Sequence, residues 1–129
     1  MIKNARILVA EDNQLNQLVV RKFLEKWEVL FEIVDNGSKA CDLVKEEDFD
    51  IILMDLQMPV MDGYEAARLI RQLPGEKYKN VPIVALTASG ALEIQQKITL
   101  SGINDFLIKP LNPDDLYAKI SKYVSQKPF

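Results

Sequence analysis

A chain of 129 residues, 48% hydrophobic and 27% charged with a net charge of −3, suits one domain with its own core. The balance leaves no concentrated basic face for nucleic acid, and no apolar run is long enough to span a membrane. Histidine is absent, so no imidazole base, nucleophile or ligand comes from this chain; the lone Cys41 excludes an internal disulfide.

The opening segment Met1-Ile2-Lys3-Asn4-Ala5-Arg6 lacks the apolar stretch of an export signal, so the expected location is a reducing cytoplasm without membrane contact. Arg6-Ile7-Leu8-Val9-Ala10 then reads as a strand, followed by helical spacing from about Asn13 to Trp27. On that helix Leu15, Leu18, Val19, Val20, Phe23, Leu24 and Trp27 cover more of the circumference than one buried stripe needs. A wide core face is one explanation; the other is that Leu15 or Leu18 is exposed to dock a partner helix. Val29 to Val34 is a second strand, rich in branched and aromatic residues. Asp35-Asn36-Gly37 turns the chain into a short helix over 38–45, in which Cys41 reads as a small core residue.

Asp50 to Asp55 is the clearest buried strand. Met58-Pro59 and Asp62-Gly63 bound a loop held by turn chemistry. A helix over 63–72 follows, stopped by Leu73-Pro74-Gly75. Pro82 to Thr87 is a fourth strand, 91–100 a helix ending at Gly102, and Phe106-Leu107-Ile108 a fifth strand. In the last helix Asn112 can cap, Pro113 suits the first turn, and Leu116, Ile120 and Val124 mark the inward stripe. Strands alternating with helices in this way predict an α/β fold: a parallel sheet, its strands buried on both sides, with helices on both faces. Ligands of such sheets bind beyond the carboxyl ends of the strands.

The chemistry-bearing residues lie there. Glu11-Asp12 follow the first strand, Asp55 ends the third, Thr87 ends the fourth, and Lys109-Pro110 follow the fifth. Singly, each has a plain role: Asp12 as a helix cap, Thr87 in a turn, Lys109 as a surface charge. Together, on neighbouring strands, they would put three carboxylates, a hydroxyl and an ammonium in one cleft. Crowded carboxylates raise one another's pKa values, which a cation relieves. An all-oxygen donor set points to a hard ion, and acids with lysine and threonine match phosphoryl chemistry.

The segments Ile7-Leu8-Val9-Ala10-Glu11-Asp12-Asn13, Ile51 to Pro59, Met61-Asp62-Gly63, Pro82 to Ala88 and Asp105-Phe106-Leu107-Ile108-Lys109-Pro110 resemble the receiver domains of two-component response regulators, in that family's order. Glu11 to Gln17 with Met58 to Ala66 is most similar to receivers of hybrid sensor histidine kinases. The resemblance implies a flavodoxin-like (βα)5 fold with strand order 2-1-3-4-5, as one receiver domain over 1–129 with a core from about 5 to 126. It implies a signalling switch rather than an enzyme with its own substrate. Asp55 would be the phosphoacceptor, acting with Lys109 and Thr87. Magnesium, or manganese in its place, would be held by Asp12, Asp55 and the main-chain carbonyl of Gln57, with Glu11 acting through water. Thr87 and Phe106 would be the switch pair, and Lys109-Pro110 a cis peptide. Gln57 and Ser89 would tune the phosphorylated lifetime.

The implied partners are a histidine kinase or histidine phosphotransfer domain, and an output partner on the face of the fourth helix, fifth strand and fifth helix. The chain would be a stand-alone regulator or a domain of a longer protein such as a hybrid kinase. Three other readings compete. A haloacid-dehalogenase-type phosphohydrolase needs a second acid two residues after its nucleophile, where this chain has Gln57. A flavin-binding module would find Glu11-Asp12 repelling its phosphate. A non-phosphorylated scaffold would not need the full residue set.

Overall fold

The computed structural model describes residues 2–124. The expected core boundary near residue 126 lies outside them. In chain order the elements are β1 Arg6–Ala10, α1 Gln14–Lys26, β2 Leu30–Val34, α2 Gly37–Glu46, β3 Ile51–Asp55, α3 Gly63–Gln72, α4 Glu76–Asn80, β4 Ile83–Thr87, α5 Leu92–Leu100, β5 Asp105–Ile108 and α6 Pro113–Val124. The strands pair in parallel in the order β2-β1-β3-β4-β5.

Alternation along each strand sorts side chains onto two layers. Leu8, Ala10, Ile52, Met54, Ile83 and Ala85 face one layer, which α2, α3 and α5 cover with Ala40, Val44, Ala66, Ala67, Ile70 and Ile98. Ile7, Val9, Ile51, Leu53, Val84 and Leu86 face the other, covered by Val20 and Leu24 of α1 and Leu116 and Ile120 of α6. Each large side chain buried in this way contributes about 1.5–3 kcal/mol. A surface ion pair such as Lys3–Glu28, 3.9 Å apart, contributes at most about 1 kcal/mol, so the two layers carry the stability.

Two expectations need correcting. Only β1, β3 and β4 are buried on both sides; β2 and β5 are the sheet edges, where no residue of β2 and only Leu107 of β5 is buried. A sixth helix, the short α4, stands where a connection was expected. None of its residues is buried. It is fixed from outside: the Arg71 guanidinium of α3 donates to the carbonyls of Tyr78 (2.9 Å) and Val81 (2.7 Å), and Lys77 reaches Asp48 at 2.7 Å. The output face anticipated on the fourth and fifth helices is therefore that of α5, β5 and α6.

Helix ends follow local chemistry. Asn13, Asn36 and Asp62 cap α1, α2 and α3 by accepting from the amides of Asn16, Lys39 and Glu65. Asn112 accepts from Asp114 and Asp115 at the start of α6. Gly102, at a φ of 83°, closes α5 as expected, with the Ile103 amide returning to the Ile98 carbonyl.

Candidate functional site

Parallel pairing brings the strand ends together. β1 lies between β2 and β3, so Glu11 and Asp12 emerge beside Asp55. Asp55 pairs with Leu86, one residue before Thr87. Beyond β5 the Lys109 amide donates to the Thr87 carbonyl at 2.7 Å, which brings the lysine back over the sheet. The Lys109–Pro110 peptide is cis, as expected.

The lysine ammonium sits between two acids, 2.9 Å from Glu11 Oε1 and 3.0 Å from Asp55 Oδ2. Glu11 is 1% exposed, and its other oxygen accepts the Asn13 amide at 3.1 Å. Asp55 is nearly buried, and its Oδ1 accepts the Gln57 amide at 3.2 Å. Burial pushes the Glu11 carboxyl above its ordinary range, outweighing the Lys109 bond that pulls it down. Burial pulls Lys109 down, but its bonds to Glu11 and Asp55 outweigh that and hold the ammonium above its usual value. Asp12 is exposed and does not cap α1, because Asn13 does.

Oxygens of Glu11, Asp12 and Asp55 lie within 4.8 Å of one another. Ionised carboxylates at that spacing repel by about 3 kcal/mol per pair, taking an effective dielectric constant of about 20. Three negative charges against one ammonium leave two uncompensated, the charge of one divalent ion. The donors are all oxygen, which suits a hard cation.

Thr87 is buried and held by its own loop. Its hydroxyl donates to the Ser89 carbonyl at 3.0 Å and accepts the Ser89 amide at 3.2 Å. Phe106 is half-buried, and a Cβ added at Gly90 would lie 3.4 Å from its ring edge, so the ring leans on the β4–α5 loop. The structure brings Glu11, Asp12, Asp55 and Lys109 together, while Thr87 ends the next strand with its hydroxyl bonded to Ser89 and Phe106 lies one strand further out. Two supports carried no signal in the sequence. The Gln17 side-chain amide donates to the Glu11 carbonyl. Gly63 lies so close to the Asp55 carbonyl that a Cβ would collide with it.

The family model for the response regulator receiver domain matches residues 7–121. The chain belongs to this family. Among relatives, the receiver domain is 40% identical to hybrid signal transduction histidine kinase B of Dictyostelium discoideum, matching over 93% of this chain but 7% of the kinase. The chain is therefore a small part of that relative's length. The receiver of a Pseudomonas aeruginosa sensor histidine kinase, crystallised with magnesium in its active-site cleft, superposes with a TM-score of 0.87 at 34% identity, covering 95% of this chain and 98% of that one. The Saccharomyces cerevisiae Ssk1 receiver, crystallised with the phosphotransfer protein Ypd1, gives 0.88 at 36% identity, covering 96% and 91%. The receiver domain is a two-component signalling switch rather than a metabolic enzyme.

A cavity of about 550 Å³ lies at the other end of the sheet, lined by Phe49, Tyr78, Val81 and Pro82 among others, and takes no part in the cleft. No helix among the described residues is long and apolar enough to cross a membrane.

Proposed function

We propose that Asp55 accepts a phosphoryl group from a phosphohistidine on a partner protein, in a reaction that needs magnesium. The observation that carries this reading is the charge balance of the cleft: three acids gathered within 4.8 Å against one ammonium, with Asp55 held by Lys109. Asp12, Asp55 and the main-chain carbonyl of Gln57 would hold the ion, with Glu11 behind water. When bound, it neutralises charge on the transferring group.

Asp55 attacks phosphorus in line. The new oxygen–phosphorus bond forms as the phosphorus–nitrogen bond breaks, and the electron pair stays on the donor imidazole. Lys109, already 3.0 Å from Asp55, balances the charge that accumulates. The product carries up to two negative charges where the carboxylate carried one, and it presents three phosphoryl acceptor oxygens. Thr87 then gives up its bond to Ser89 and donates to one of those oxygens. Phe106 follows inward, and the α5–β5–α6 face changes. Leu92, Leu100 and Ile108 are already exposed there and would meet an output partner. Gln57 and Ser89, both exposed at the cleft, set how readily water reaches the acyl phosphate. Gln57 offers no acid for a phosphohydrolase of its own.

The partner is a histidine kinase or phosphotransfer protein in the cytoplasm, meeting a receiver unit that spans the chain. Leu15 and Leu18, 69% and 47% exposed on the first turns of α1, supply an apolar docking surface beside the cleft. The reading is tested by following backbone amide shifts while adding magnesium and beryllofluoride. Together they are expected to move Thr87, Ser89 and Phe106, and Asp12→Ala is expected to remove the response to magnesium. Unchanged shifts at Thr87 and Phe106 in the wild type would overturn it.

A further inference from the structure

The helix α6 starts beyond the cis peptide near the cleft and runs to the opposite end of the sheet, where the Tyr123 hydroxyl reaches Asp105 at the start of β5. There Tyr123 lines the cavity of about 550 Å³. The cavity opens against the starts of three strands: Asp50 stands just before β3, Pro82 before β4 and Asn104 before β5. Its apolar wall is Phe49, Tyr78, Val81, Pro82 and Tyr123, none of them fully buried. Half-covered apolar side chains gathered round a hollow of this size form a seat for another apolar group.

The rim of the cavity is acidic. Glu47, Asp48 and Asp50 stand on the connection between α2 and β3, and Lys77 faces them from α4. Lys77 holds Asp48 at 2.7 Å, and the neighbouring Arg6 guanidinium holds Glu47 at 2.6 Å. Asp50 Oδ2 accepts the Arg6 amide at 2.8 Å. Three carboxylates thus face two cations, which leaves one negative charge in excess. The Arg6 guanidinium also lies over the Phe49 ring, 5.7 Å from its centroid, so this end of the sheet already combines a cation with an aromatic face.

We propose that the cavity is the docking site of this chain's own residues 125–129, with the Phe129 ring against the apolar wall and the Lys127 ammonium at the acidic rim. Reach and charge argue for this occupant. Val124 ends α6 one residue after Tyr123, and five residues in extended form span about 17 Å, enough to cross the cavity mouth. Ser125-Gln126-Lys127-Pro128-Phe129 holds one cation, one aromatic ring and no acid, which complements a rim with one negative charge in excess above an apolar wall. Pro128 disfavours helical backbone at Lys127, and in an extended segment the side chains of Lys127 and Phe129 point to the same side, with Gln126 and Pro128 on the other. Seated in this way, the segment ties the end of α6 to α4 and to the connection between α2 and β3. The cavity takes no part in the cleft, so the inference stands apart from the role of Asp55.

The experiment is nuclear magnetic resonance on the full chain, wild type and the variants Phe129→Ala, Lys127→Glu and Gln126→Ala, with a urea midpoint for each. Nuclear Overhauser contacts are expected from the Phe129 ring to the Val81 methyl groups and the Tyr78 ring. Phe129→Ala and Lys127→Glu are expected to move the backbone amide signals of Phe49, Tyr78, Val81 and Asn104 and to lower the urea midpoint. Gln126→Ala is expected to change neither. Absence of contacts between the Phe129 ring and the cavity wall would overturn the inference, as would cavity signals unchanged by both Phe129→Ala and Lys127→Glu. Contacts seen only between chains, in a mixture of labelled and unlabelled protein, would also overturn it, because the occupant would then be a second copy.

Discussion

At the residue scale, Gly63 ties α3 to the reacting strand. It sits against the Asp55 carbonyl and donates its amide to Leu56, so α3 can start only where no side chain intervenes. Gly63→Ala must push either the helix or the Asp55 backbone, and no flexible side chain can give way. It is expected to cost about 2 kcal/mol of stability, read from the urea midpoint; an unchanged midpoint would refute the packing account. Such contacts are only partly legible in a sequence. The Asp62-Gly63 pair announces a turn, but not that glycine is needed for close approach to a carbonyl. Asp12 shows the reverse case. As one acid before a helix it had an ordinary explanation as a cap, and Asn13 displaced it because its oxygen is placed to accept the Asn16 amide at 3.0 Å. The positive φ of 69° at Val60 was not legible in the sequence either, since local preference argues against a β-branched residue in that conformation.

At the element scale, the sheet edges depend on polar ties. The start of β5 is held by Asp105, whose Oδ2 accepts from Lys119 Nζ at 3.0 Å and from the Tyr123 hydroxyl at 2.9 Å, both on α6. Burial pushes Asp105 up, but Lys119, the Phe106 amide and Tyr123 outweigh it and hold the carboxyl below its usual range. Burial, and then the bond to Asp105, push Tyr123 up to about 12. A tyrosine in the unfolded chain releases its proton near pH 10. Below that value both states are protonated and the tie contributes in full. As pH rises from about 10 to about 12 the unfolded state ionises first and the contribution falls. The stability advantage of the wild type over Tyr123→Phe is therefore expected to shrink across that interval, measured by urea midpoints at several pH values. An advantage constant through it would contradict the assignment. This tie joins the strand of Phe106 to α6, and α4 likewise depends on Arg71 from another helix. Neither was legible in sequence, because residues far apart in the chain carry no local signature of each other. The long helices and buried strands were legible because their apolar periodicity is local.

At the scale of the whole molecule, one sheet order places Glu11, Asp12, Asp55, Thr87 and Lys109 at one end, while the apolar layers bind the rest. The cleft was legible because its residues fall at strand ends, where a parallel sheet presents them together. Which groups touch was not legible: Lys109 bridges Glu11 as well as Asp55, and Thr87 is engaged with Ser89. Trp27 ends α1, about 20 Å along the helix from the cleft, and packs on Phe23 and Tyr117, so it is a poor reporter of events there. The central claim is that Asp55 receives the phosphoryl group. Its most direct test is phosphate incorporation from acetyl phosphate with magnesium, followed by mass spectrometry of the wild type and Asp55→Asn. One phosphoryl group on the wild type, located at Asp55, and none on the variant is the expected result. Full incorporation into Asp55→Asn would contradict it.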